Sequence, residues 1–160
     1  KIINKYELNK NSRVLEIGCR KGFFLKDLKE FIPGIKVYGV EDHLYPIKNC
    51  EKEVKNNIKF VDKYYLINYP KKHFDLVISL SNIYRYNITD MIKTLRVISK
   101  ISKKSWISVA TYKNKEEKKK FENFSYLYNI LLKREDWKKL FKYCGYKGDY
   151  YFTDSKSLKL

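Results

Sequence analysis

Glu16 is the residue from which the chemistry of this chain is read. It stands in Val14-Leu15-Glu16-Ile17, a short apolar run, and Gly18-Cys19-Arg20-Lys21-Gly22 follows at once. A carboxylate near the end of a buried strand needs a partner, because an unpaired charge away from water is costly. Gly18 allows a tight turn and, lacking a side chain, a close approach of a ligand to the backbone. The amphipathic segment beyond Gly22 would aim the N–H groups of its first turn at the same place. Together these features suit a ligand with a nucleoside and a charged amino-acid tail. A second carboxylate, Glu41, closes Tyr38-Gly39-Val40-Glu41, about 20 residues past the glycine loop. An acid there can grip both hydroxyls of a ribose, with Asp42 as its alternative.

These groups must be held by strands and helices in alternation. Val14–Ile17, Lys36–Val40, Ile58–Val61, Phe74–Leu80 and Trp106–Thr111 read as strands. Phe23–Phe31 has apolar residues at helical spacing, and Pro33-Gly34 ends it. Pro46–Val54 is a weaker helix. Thr89-Asp90 is placed to cap a helix that buries Met91, Ile92, Leu95 and Ile98. Further on, Lys113–Lys120 is a charged helix face and Ile130–Leu132 a candidate strand. Arg134–Cys144 then reads as a helix ended by Gly145, before a last strand at Tyr150–Phe152. Such alternation argues for a parallel sheet with helices on both faces. Ligands of such sheets sit beyond the carboxyl ends of the strands, where Glu16, Glu41 and Asp62 all fall.

The loop at 18–22 resembles motif I of the class I S-adenosylmethionine-dependent methyltransferases, acidic-x-Gly-x-Gly-x-Gly, with Arg20 in place of the middle glycine. The likeness runs over residues 12–152 and includes Phe74-Asp75-Leu76-Val77-Ile78-Ser79 as the fourth strand. Gly145-Tyr146-Lys147-Gly148-Asp149-Tyr150 and the Leu132…Asp136-Trp137 run are similar to the C-terminal half of a bacterial subgroup. The resemblance implies a Rossmann-like α/β fold, with a seven-stranded, mostly parallel sheet whose last strand is antiparallel. It implies S-adenosylmethionine as cofactor, with S-adenosylhomocysteine as product. By the same resemblance Glu16, Gly18, Cys19, Arg20 and Gly22 line the cofactor, and Glu16 orients its methionine part. Asp62, followed by Lys63, takes the adenine amino group, and Ser79, Leu80 and Ser81 reach the ligand through backbone. Asp75 is structural and Trp137 belongs to the core. Arg85 and Tyr86 are candidate substrate contacts, and Tyr84, Tyr86 and Tyr126 are the candidate bases. His43 and His73 read as loop or surface residues.

Composition bounds the rest. At 160 residues the chain fits one domain over 1–160 with a real core. Only about a dozen residues precede the first strand, so part of an N-terminal lid is expected to be missing or the acceptor site open. No apolar run is long enough for a transmembrane helix. Cys19, Cys50 and Cys144 have neither the number nor the spacing of a disulfide framework or zinc site, so no metal is expected and the cytoplasm is the default. The formal net charge is +17, yet arginine stands only at 13, 20, 85, 96 and 134. Arginine is the usual bidentate reader of bases and phosphates. A lysine excess is therefore read as a spread, solvated surface rather than a nucleic-acid interface, and a small or medium-sized metabolite is the expected acceptor. The residues leave two alternatives open: a degenerate module that holds an anionic partner without catalysis, and a nucleic-acid methyltransferase. A nicotinamide-binding domain fits less well, because Gly-x-Gly-x-x-Gly is absent.

Overall fold

A computed structural model describes residues 1–125 and 128–159 of the chain. It begins with a short helix, α1 (Ile2–Tyr6), and the strand β1 (Arg13–Ile17). Then come α2 (Phe23–Phe31), β2 (Lys36–Glu41), α3 (Leu44–Lys48), β3 (Ile58–Phe60), β4 (Phe74–Ser79), α4 (Ile88–Ile101) and β5 (Ser102–Tyr112). The chain continues through α5 (Lys115–Phe124), β6 (Leu132–Lys133), α6 (Arg134–Cys144) and β7 (Asp149–Thr153). Where a single weak helix was expected at Pro46–Val54, α3 is followed by a separate 3₁₀ turn at Lys52–Asn57.

The seven strands form one sheet in the order β3-β2-β1-β4-β5-β6, with β7 also paired to β5. β1 lies at its centre between β2 and β4, with Glu16 level with Gly39 on one side and Ile78 on the other. Two apolar layers cover the sheet. One packs Leu25 and Leu28 of α2, with Tyr6, against Val14, Val37, Leu76 and Ile78. The other packs Met91, Leu95 and Ile98 of α4 and Trp137 and Phe141 of α6 against Leu15, Val77, Ile107 and Val109. Helices on both faces follow directly from strands that are apolar on both sides. Trp137 is fully buried and its indole N–H donates to the Ala110 carbonyl at 2.8 Å, so it is core, as expected.

One feature of the expected sheet is corrected. β7 does not run antiparallel: Trp106 pairs with Asp149 and Ala110 with Thr153, so β7 is parallel to β5. The cause is the connection. The two-residue β6 pairs with Thr111 and Tyr112 at the carboxyl end of β5, and α6 then carries the chain back. A helical crossover returns a strand in the parallel sense, whereas an antiparallel neighbour is reached by a hairpin.

Two boundaries also differ. Asn87, not Thr89 or Asp90, caps α4; its side-chain oxygen accepts the Asp90 N–H at 2.9 Å. β5 starts at Ser102, earlier than expected: its polar beginning Ser102-Lys103-Lys104-Ser105 pairs with β4, the two serines buried and the two lysines exposed. Lys103 there pairs with Asp75 at 2.7 Å, and Asp75 also accepts the Arg13 N–H at 2.7 Å. Asp75 thus ties β1, β4 and β5 at the amino ends, the structural part assigned to it.

Candidate functional site

The carboxyl ends of β1, β2 and β4 meet at one place, and the loop 18–22 lies across them. Gly18 and Cys19 donate their N–H groups to the Val40 carbonyl at 2.9 and 3.2 Å. Arg20 donates its N–H to a carboxylate oxygen of Glu41 at 2.8 Å, and Gly22 donates to Cys19 at 2.8 Å. The amides of Gly18, Cys19, Arg20 and Gly22 are therefore committed inside the protein, bracing the loop to the end of β2. Gly22 then precedes the first turn of α2.

Gly18 has φ +73°, which a side chain rarely tolerates. Its bare Cα serves a purpose other than the one read from the sequence. The space that a Cβ would occupy is filled by the carboxamide of Asn82, not left for a ligand. Asn82 follows β4, is 2 % exposed, and its amide nitrogen has no hydrogen-bond partner. The sequence reading passed over it as a site residue. The signal was a lone amide between Ser81 and the buried Ile83, where an apolar residue would have served packing alone.

Glu16 is buried at the end of β1, and its Oε2 makes no hydrogen bond. Burial, and then the charge of Glu41, push its carboxyl up to about 8, against the pull of Arg20. A carboxyl so buried favours its neutral form, and a cationic donor beside it would favour the charged one. Glu41 is also buried and accepts a second backbone N–H, from His43, at 3.2 Å. Burial raises its pKa against the lowering effect of the Arg20 N–H. Asp42 accepts hydrogen bonds from Tyr64 at 3.0 Å and from Tyr86, and its Oδ1 lies 2.7 Å from His43 Nδ1. Burial alone would raise the Asp42 carboxyl, but these hydrogen bonds prevail and hold it below the ordinary value. Glu41, Asp42 and His43 place ligand atoms within 4.8 Å of one another, an arrangement already taken up by these hydrogen bonds.

The other expected residues divide. Cys19 is buried, and burial raises its thiol pKa, so it packs rather than reacts. Ser79 is buried and donates its hydroxyl to the Ile17 carbonyl at 3.2 Å, locking the ends of β1 and β4 together. Leu80 packs against the α2-side core. Ser81 takes a left-handed φ of 49° and donates its N–H to Ser108 of β5 at 2.8 Å. Asp62 is exposed beyond β3, and among the described residues its carboxylate has no hydrogen bond or ion pair. Lys63 is drawn to Asp90 at the start of α4, at 3.4 Å.

Of the candidates on the acceptor side, Tyr86 has its hydroxyl held by Asp42 and its ring edge-on to Tyr64 at 5.3 Å. Tyr84 is half-buried. Burial raises its phenol pKa, while a hydrogen bond with Ser81 and the cations Arg20 and Arg85 oppose that rise. Its carbonyl accepts N–H bonds from Asn129 and Ile130 at 3.1 and 3.0 Å. Arg20 is exposed on the glycine loop and Arg85 is half-buried in the 3₁₀ turn Ile83–Arg85. Tyr126 lies outside the described residues. His73 stacks on Tyr69 at 5.2 Å near the amino end of β4, and His43 is exposed.

Lys5, Lys72, Lys103, Lys104 and Lys147 line a cavity of about 400 Å³ at the opposite, amino end of the sheet. α1 sits at that end too: the Tyr6 hydroxyl donates to Asp149 at 2.7 Å and Lys5 pairs with the same carboxylate at 2.9 Å. It does not cover the carboxyl-end site. No helix among the described residues is long and apolar enough to cross a membrane.

S-adenosylmethionine meets the donor set at the carboxyl ends. An ammonium would suit the unpartnered Glu16 oxygen, and a pair of hydroxyls would suit the Glu41 carboxylate already fixed by two backbone N–H groups. Comparison with known proteins points the same way. A family model described as "Methyltransferase domain" matches residues 1–150. A solved S-adenosylmethionine-dependent methyltransferase from Archaeoglobus fulgidus is 25% identical, with a TM-score of 0.68, covering 90% of this chain and 66% of that one. A Haloferax volcanii methyltransferase, in complex with its Trm112 activator, is 17% identical with a TM-score of 0.68, over 86% of this chain and 62% of its own. The Rickettsia typhi protein PKMT2, in complex with AdoHcy, is 21% identical with a TM-score of 0.55, over 62% of this chain and 21% of its own. The chain thus spans less than two thirds of each of these solved proteins. The last two likenesses are of fold alone. No curated protein matches.

Proposed function

The chain belongs to the family of methyltransferase domains, and from that premise we propose that it binds S-adenosylmethionine and passes the methyl group to a small or medium-sized metabolite. One observation carries the reading: a buried carboxylate, Glu16, whose oxygen lacks a partner, at the end of the central strand beside the glycine loop. In this reading Glu16 receives the ammonium of the methionine tail and Glu41 the ribose hydroxyls. Tyr64, Tyr86 and Asp42 form the wall beside the ribose, and Asp62 is the candidate for the adenine amino group. Residues 1–160 act as one domain.

The cofactor, when bound, supplies a sulfonium-activated methyl group with a good leaving group. What remains for the chain is positioning, which can supply much of the acceleration. Glu16 and Glu41 hold the two ends of the cofactor, and the loop after β4 forms the acceptor side. Tyr84 is protonated at neutral pH, as an ordinary phenol is, and burial raises it further. It serves as a hydrogen-bond donor to the acceptor rather than as a ready base.

Thermal unfolding with S-adenosylhomocysteine tests the reading. A ligand that binds only the native state stabilises it by about 2.7 kcal/mol at a hundredfold excess over its Kd. A rise in Tm with S-adenosylhomocysteine and none with NAD is expected. No shift with either at millimolar ligand would instead favour a degenerate, non-catalytic module.

A further inference from the structure

We propose that the acceptor carries an anionic group, a carboxylate or a phosphate, and that Arg20 and Arg85 receive it. The proposal rests on the cofactor reading above and names the substrate class of the same site.

The chain uses arginine sparingly, and three of its five are engaged elsewhere. Arg134 pairs with Asp154 at 2.6 Å, Arg96 lies over the Tyr143 ring at 5.6 Å, and Arg13 stands in the field of Asp75. Arg20 and Arg85 have no ion pair among the described residues, yet both belong to the loops that frame the site. Arg20 occupies the glycine loop at φ 51°, a left-handed conformation that suits glycine and is unfavourable for residues with a side chain. Its N–H, held by Glu41, fixes where the residue stands. Arg85 follows β4, and its Nη1 lies 3.5 Å from Asn82 Oδ1; the Asn82 carboxamide in turn rests on Gly18, two residues before Arg20. The two loops therefore touch through Asn82, with one guanidinium on each.

The nearby acids do not neutralise them. Both Glu41 oxygens accept backbone N–H groups, and Asp42 is enclosed by Tyr64, Tyr86 and His43. Glu16 feels Arg20 only from beyond ion-pair distance and is reserved for the cofactor's ammonium. Tyr84 feels both cations and keeps its proton, which adds a neutral donor. Two guanidinium groups without an ion pair among the described residues and a phenol O–H supply the kind of donors that a carboxylate or phosphate accepts from.

The cofactor brings a carboxylate of its own, so the experiment must separate the two anions. Benzoate and phenyl phosphate, with neutral benzyl alcohol as control, are titrated calorimetrically into protein saturated with S-adenosylhomocysteine, at about 150 mM salt. Wild type is compared with Arg20→Gly, Arg85→Gln and Lys147→Gln. Arg20→Gly relieves the backbone, so a loss in that variant with Tm kept or raised is not misfolding. At least one anion is expected to bind and benzyl alcohol not to. Each arginine change should weaken the anion about tenfold or more, and Lys147→Gln should leave it unchanged. Saturation by no anion, or equal loss in Lys147→Gln, would overturn the proposal. In a second arm, S-adenosylhomocysteine is compared with 5′-methylthioadenosine, which lacks the amino-acid tail. If the arginine changes weaken the first and spare the second, the guanidinium groups hold the cofactor's carboxylate, and the acceptor assignment falls. Wild type that fails to bind S-adenosylhomocysteine at all would instead sink the cofactor reading itself.

Discussion

The Asn82 carboxamide occupies the position where a Cβ on Gly18 would stand. These two residues join the loop after β1 to the loop after β4, so this contact helps to set the two walls of the site. Gly18→Ala should therefore fail twice, through φ +73° and through collision with Asn82. A loss of about 2–4 kcal/mol in urea unfolding is expected. Adding Asn82→Ala to Gly18→Ala should restore the collision share and leave the backbone share. Simple additivity of the two changes would refute the contact.

Glu16 should make the ligand-free protein pH-sensitive. Its carboxyl is raised from 4.5 to about 8 in the folded state, so its share of stability is whole below pH 4.5 and is lost as pH rises toward 8. The loss is of the order of a few kcal/mol. Glu16→Gln should flatten the profile over that window, and saturating S-adenosylhomocysteine should flatten it in wild type by supplying the missing cation. A wild-type profile with no fall between those values would remove the buried charge from the argument.

Glu41→Ala should weaken S-adenosylhomocysteine by about 1.5–3 kcal/mol, the range for hydrogen bonds to a charged group. The ligand-free protein should lose stability as well, because the Arg20 and His43 N–H groups each lose their acceptor. Calorimetry and unfolding on the same sample read both effects. Undiminished affinity would transfer the ribose to Asp42.

Asn87→Ala should cost about 1 kcal/mol through the lost cap of α4, and Thr89→Ala far less. Equal costs would restore the cap to the later position.

Binding to duplex DNA should be weak and should collapse between low and about 150 mM salt, because it depends on counterion release. The lysine-lined cavity lies at the amino end of the sheet, away from Glu16 and Glu41. Added DNA should therefore not displace S-adenosylhomocysteine. Displacement at physiological salt would favour a nucleic-acid acceptor.

The residues alone determined the alternation of strands and helices and the three acids at strand ends, because periodicity and turn chemistry are local. Val14, Leu15 and Ile17 are apolar since both faces of β1 are covered, and Phe23–Phe31 shows one buried stripe; each pattern is complete within its own segment. What only the tertiary structure decided depends on which elements become neighbours. The hydrogen-bond partner of the Tyr86 hydroxyl is Asp42, 44 residues away, and only the fold brings the two together. The Gly18 vacancy looked like room for a ligand until the end of β4 placed Asn82 in it. The direction of β7 was settled by the path of α6 across the sheet, since the apolar pattern of a strand reads the same whether it lies parallel or antiparallel to its partner.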